Sequence, residues 1–205
     1  ETGEERFVGV PEQGGRDLIS TDPLAPGTIY SAGVTSDGTV GLYRVEVSVS
    51  SGTGKLKLAG GAAGAMKESI QRAFSVLHSK KSDLGIARDL DVSDLHVEVI
   101  DLLANRVEAE IGVAFFVACY SALRKAPVSS ALLILGDMSV QGNIKPLRSL
   151  TEPLQVAKDN GAKRALIPIE NKRNFLDVSA DIMEHVDPIF FGDPKMAALK
   201  VIGAT

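Results

Sequence analysis

The chain has 205 residues, 44% of them apolar and 23% charged, enough for one domain with a sizeable core and the profile of an ordinary globular chain. Its 22 Lys and Arg against 26 Asp and Glu leave a formal charge of −4, which argues against a main nucleic-acid surface, because phosphate contact needs clustered cations. The single cysteine, Cys119, excludes an internal disulfide framework and fits a reducing, cytoplasmic setting, and no apolar run or signal peptide points to a membrane.

Residues 1–26 are rich in Gly, Pro, Asp and Glu and read as a linker or extended arm. The chain opens Glu-Thr-Gly rather than with Met, which predicts a fragment of a longer protein. From Gly27 to Leu58 the pattern is β. Ile29 to Val34 and Val40 to Val49 are strands around a Ser36-Asp37-Gly38 turn, and Val45 to Val49 alternates apolar and polar. Lys55 to Leu58 is a further short strand after the Ser51-Gly52-Thr53-Gly54 turn.

Residues 63–80 predict a helix whose apolar face is Met66, Ile70, Phe74 with Ala73, and Leu77. Leu95 to Ile100 is a strand. Residues 107–124 predict an almost wholly apolar helix, buried on most sides. Ala131 to Leu135 is a buried strand, and Gly136 to Leu147 a hairpin turning at Gly142-Asn143. Residues 150–160 are a helix stopped by Asn160-Gly161. Lys163 to Pro168 and Ile189 to Phe191 are strands, and Asp193 caps a last helix with Pro194 at its first position. An all-β first third followed by alternating helix and strand predicts an α+β fold with a mixed sheet and packed helices.

Several of these segments resemble, in order, the proteolytic domain of the Lon protease family. They are Gly33 to Gly41, Gly52 to Gly60, Met66-Lys67-Glu68-Ser69, and His96-Val97-Glu98-Val99. Gly136-Asp137-Met138-Ser139-Val140-Gln141-Gly142-Asn143-Ile144-Lys145-Pro146-Leu147 is similar to the family hairpin G-E-I-T-L-x-G-x-V-x-P-I. Ala165-Leu166-Ile167-Pro168 with Glu170-Asn171-Lys172-Arg173 completes the set, which holds from about Ala32 to Leu199. The resemblance implies the Lon-type fold for residues 27–205; activity needs the site itself.

Family members hydrolyse peptides with a Ser nucleophile in P-S-A-G and a Lys base in G-G-L-K-E-K. An ungapped reading between His96 and Leu154 puts the first motif on Ala109-Glu110-Ile111-Gly112 and the second on Arg148-Ser149-Leu150-Thr151-Glu152-Pro153. The nucleophile position is Glu110 and the base position Pro153. A Ser-Lys dyad needs an attacking hydroxyl and a neutral amine. Glu110 offers neither, and a carboxylate at a helix start is expected to be stabilised in its charged form. Pro153 has no side-chain base and fits a first helical turn. Arg106-Val107-Glu108 replaces the family's Gly-rich loop. No catalytic group is therefore expected in this chain.

Other candidates are weaker. Ser139 and Lys145 could form a substitute dyad if their side chains met; the plainer reading is an ordinary hairpin. Asp101, Glu108, Glu110 and Asp137 could gather around a hard cation, although surface carboxylates usually face water. His96 reads as a structural histidine, His78 and His185 as exposed, and Cys119 as a small buried hydrophobe. Gly52-Thr53-Gly54-Lys55 lacks the phosphate-loop pattern G-x-x-x-x-G-K-[ST], and Gly60-Gly61 with Gly64 reads as a turn into a helix. Lys80-Lys81 and Lys172-Arg173 read as solvated surface.

Within the family, a domain without the dyad looks like the Lon-like C-terminal domain of AAA+ proteins in BREX bacteriophage-defence systems. That resemblance implies a ring-type homo-oligomer, DNA engaged by the parent protein, and ATP with Mg2+ in an ATPase module outside these residues. No cofactor or metal is expected in the domain itself. The alternative is an ATP-dependent serine peptidase with a relocated dyad.

Overall fold

The computed structural model describes residues 17–202. The first 16 residues of the expected linker or extended arm lie outside them. Residues 17–26 form no long strand, but they are not free: Ile19 and Leu24 are buried, Ile19 N donates to Asn160 O at 3.1 Å, and Leu24 bridges to Val128.

The strands are β1 (Thr28–Val34), β2 (Val40–Ser51), β3 (Leu56–Gly60), β4 (Ser93–Asp101), β5 (Leu132–Ile134), β6 (Asp137–Met138), β7 (Ile144–Lys145), β8 (Arg164–Pro168) and β9 (Asp187–Phe191). The helices are α1 (Gly64–Ser79), α2 (Ala87–Asp91), α3 (Gly112–Arg124), α4 (Thr151–Asp159), α5 (Lys172–Phe175), α6 (Ala180–His185) and α7 (Pro194–Val201). Seven strands make one sheet in the order β3-β4-β2-β1-β5-β8-β9. The β1, β2 and β4 pairings are antiparallel, and β1-β5-β8-β9 and β3-β4 are parallel, so the sheet is mixed and the fold is α+β as predicted. β6 and β7 stand apart as the predicted hairpin.

Burial explains the layering. In β1 the consecutive residues Ile29 to Ala32 are all buried, so both faces of the sheet are covered there. Helix α3 packs against β1, β2, α1 and α7, and every residue from Gly112 to Leu123 is buried. That is why its sequence shows no polar stripe. Helix α1 keeps one: Met66, Ile70, Ala73 and Leu77 are buried, with Phe74 at the margin. The alternation in β2 holds through Val45 and Val47, but Val49 is exposed because the strand runs on past the core.

Two expectations need correction. The apolar helix begins at Gly112, not at residue 107. The Tyr43 hydroxyl takes the Val107 carbonyl, Arg106 has φ +57°, and Ile111 N is held by Ser69 Oγ at 3.2 Å, so the chain cannot coil earlier. The short helices α2, α5 and α6 were not predicted, since four to six residues carry no periodic stripe. The Asp193 cap is as expected, its carboxylate accepting from Met196 N at 2.7 Å with Pro194 beginning the helix.

The Gly52-Thr53-Gly54-Lys55 turn is held by a carboxylate rather than built to hold a phosphate. Asp94 Oδ1 accepts from Thr53 N and Lys55 N, each at 3.0 Å, and a Cβ on Gly52 would overlap that carboxyl group. These backbone donors, with Lys57 adding to them, hold the Asp94 carboxyl down at about 2. A carboxyl whose folded value lies below its unfolded value near 4 supplies stability that is complete above about pH 4 and is lost as pH falls through about 2. The urea midpoint of Asp94→Asn is therefore expected to lie below that of the unaltered chain at pH 7, with the gap closing between pH 4 and pH 2.

Candidate functional site

A cleft of about 400 Å³ opens between three segments: the end of β1 with Thr35 and Ser36, the loop before α3 with Glu108 and Glu110, and the β6–β7 hairpin with Asp137 and Lys145. Glu110 is thus in the cleft. Pro153 is not in its wall; it is buried in the first turn of α4, the position a proline tolerates.

Arg72, on α1, organises the centre. Its Nη2 donates to Asp137 Oδ2 at 2.8 Å and lies 3.4 Å from Glu110 Oε1. Asp137 is only 4% exposed and Lys145 Nζ stands 4.0 Å from the same carboxylate, so a buried charge is answered by one close cation and one distant one. Arg72 is a residue that the sequence did not single out. It stands at the edge of the amphipathic stripe of α1, and only the chain crossing brings it between two acids 38 and 65 residues away.

Glu110 corrects one electrostatic expectation. It lies two residues before the first residue of α3, outside the helix. Its carboxyl is pushed above the usual glutamate range, first by partial burial and then by the Asp137 carboxylate, with Arg72 and Lys145 pulling it back. The net shift at Glu110 is therefore upward, the reverse of what a helix start alone would give.

The four acids proposed as a cation cluster divide among different partners, with Glu110 and Asp137 meeting at Arg72. Asp101 Oδ2 accepts from Arg106 N at 2.8 Å. Glu108 lies over Gly64, the first residue of α1, where a Cβ would overlap its Oε2. Asp137 lies in the same way over Gly112, the first residue of α3. Neither helix has a side-chain N-cap, since Ala63 and Ile111 occupy those positions, and each instead starts against an acid from another segment. Among the described residues no group of three or more His, Cys, Asp or Glu is placed to hold a metal.

Ser139 and Lys145 are not cross-strand partners. Lys145 pairs with Asp137 across the hairpin, and Ser139 Oγ accepts from Asn143 N at 3.2 Å at the turn. His96 Nε2 is 2.8 Å from Ser50 Oγ on the neighbouring strand. His185 is exposed beside Asp181, but His78 is not exposed as predicted: half-buried, it stands 3.1 Å from Gly54 O with its ring edge-on to Phe74. Cys119 is fully buried, which pushes its thiol well up and removes it from chemistry.

Tyr43 supports the cleft from below. Its hydroxyl donates to Val107 O and accepts from Ala109 N at 3.3 Å, and burial pushes the phenol up to about 12. Gly41 is required beside it, because a Cβ would overlap the Tyr43 ring. Tyr43→Phe keeps the ring and strands two buried backbone groups, so a loss of about 2 kcal/mol is expected in denaturant unfolding.

The family profile described as Lon protease (S16) C-terminal proteolytic domain matches residues 16–195. The chain is 32% identical over 204 residues to "Lon-like protease BrxL" of Escherichia coli O9:H4 (strain HS), covering 99% of this chain and 29% of that protein. It is 30% identical over 204 residues to "Lon-like protease BrxL" of Bacillus cereus (strain H3081.97), covering 99% and 30%. "Lon protease" of Escherichia coli (strain K12) is 31% identical over 147 residues, 71% of this chain and 19% of that protein. The chain thus spans about three-tenths of the two BrxL relatives. A family profile that covers most of the chain, on a fold with the expected mixed sheet, buried helix and hairpin, places it in one family: the chain belongs to the Lon protease C-terminal proteolytic-domain family.

Proposed function

We propose that this chain is a peptidase-inactive Lon-type domain that serves as an assembly module of a ring-forming AAA+ protein. The observation that carries the reading is the pair of residues at the dyad positions, Glu110 and Pro153. Glu110 has no hydroxyl and its carboxyl faces Arg72 and Asp137. Pro153 is buried and has no base to offer. A domain with a complete core and no usable nucleophile is left with packing as its contribution.

The likeness over 99% of the chain to proteins named BrxL supports extending the reading to phage defence. In it the parent assembles as a homo-oligomeric ring, works in the cytoplasm, engages DNA through its other parts, and uses ATP and Mg2+ in an ATPase module outside this chain. The two relatives carry "protease" in their names, and that word describes them.

The test is hydrolysis of an unstructured protein by the full-length parent with ATP, beside an active Lon. No cleavage above the enzyme-free rate is expected. ATP-dependent cleavage abolished by Ser139→Ala would overturn the reading in favour of a relocated dyad. Removal of this domain from the parent is expected to break the ring into smaller species in sedimentation velocity.

A further inference from the structure

The segment between β4 and α3 forms one wall of the cleft, yet it is fastened in an unusual way. Residues 105–110 make no backbone–backbone hydrogen bond among those of the described residues. Side chains do the fastening. Asn105 Nδ2 donates to Val40 O at 2.8 Å, and Asp101 Oδ2 accepts from Arg106 N at 2.8 Å. The Tyr43 hydroxyl holds Val107 O and Ala109 N, and Arg72 faces Glu110.

The segment is also strained. Ala104 and Arg106 have φ of +52° and +57°, the left-handed region that costs an L residue free energy. Its two ends, by contrast, are anchored: Leu102 N donates to Leu42 O at 2.9 Å, and Ile111 N to Ser69 Oγ at 3.2 Å where α3 begins. A strained stretch with firm ends and only side-chain fastenings between them opens locally at lower cost than the sheet or the buried helix.

We propose that residues 103–110 act as a strap that releases from the body as a unit, uncovering Val107 and Ala109 and widening the cleft, while β1, β2 and α3 stay folded. The strap controls access to the cleft whichever chemistry the cleft carries, so this inference stands apart from the loss of the dyad. Tyr43 is its central fastening, because one hydroxyl serves two strap residues.

The experiment uses two buried thiols in the intact protein: Val107→Cys, on the strap, and the native Cys119, on α3, both read by peptide-resolved mass spectrometry. With a thiol reagent at native pH, Val107→Cys is expected to react about 100-fold faster than Cys119, which reports global unfolding. Adding Tyr43→Phe is expected to speed labelling of Val107→Cys and of Cys119 by the same factor, about 30-fold, because strap release and global unfolding both break the Tyr43 hydrogen bonds, and so to keep the gap between the two thiols. Equal rates at the two thiols, or labelling of Val107→Cys that Tyr43→Phe does not speed, would overturn the strap. Should Val107→Cys fail to fold, deuterium exchange on the unaltered chain decides: faster exchange at residues 106–110 than at residues 115–121 supports the strap, and matched protection overturns it.

Discussion

Replacing Arg72 with Leu is expected to cost the fold about 3 kcal/mol, the low end for breaking a buried ion pair. The cost comes from the partner left behind. Asp137 is 4% exposed, and its Oδ1 already has no hydrogen-bond partner. Without Arg72 it keeps only Lys145, at 4.0 Å, and the first turn of α3. Those residual favourable interactions keep the loss from being larger. Asp137→Asn should cost less, because Arg72 is a quarter exposed and keeps Glu110 as a partner. Chemical denaturation of the two variants gives the ranking; an Asp137→Asn loss larger than that of Arg72→Leu would show that the carboxylate acts mainly on α3. The same change has an electrostatic readout. Arg72 is one of the two cations pulling the Glu110 carboxyl down, so its removal should raise the Glu110 titration further, as followed by carboxyl NMR.

The second large effect is expected at Gly61. It sits at φ +81°, and a Cβ there would overlap the Val99 carbonyl oxygen. Backbone cannot rotate away as a side-chain tip can, so Gly61→Ala combines left-handed strain with overpacking and should cost about 3 kcal/mol. Gly60, its neighbour, has open space around it. Gly60→Ala should therefore stay within about 0.5 kcal/mol of the unaltered chain in the same unfolding assay. The contrast separates two readings of a Gly-Gly pair. A pair needed for close approach to a phosphate would show its loss in ligand binding, whereas one needed for the turn into α1 shows it in stability, at Gly61 alone.

Much of the architecture was legible in one dimension, because local rules agreed with tertiary placement. The β1–β2 hairpin, the Asn160-Gly161 stop with Gly161 at φ +94° and the Asp193-Pro194 start all follow from propensities that act over a few residues. The ordered motifs carried the family, and the long uniform apolar run marked α3 as the buried helix. The same run misled at its start, since Val107 and Ala109 are apolar yet lie in a strap held by Tyr43 from 64 and 66 residues away.

The sequence by itself determined the fold class, the family and the identities of Glu110 and Pro153, because each is a property of residue order. Only the tertiary structure decided what surrounds them. Arg72 reaches its acids across 38 and 65 residues, and Asp137 and Glu108 lie against the first residues of α3 and α1, which have no side-chain cap of their own. The physical reason is the range of the interactions. Turn and capping preferences act within a few residues, whereas the free energy of a charge depends on which distant groups the fold brings within a few ångströms of it.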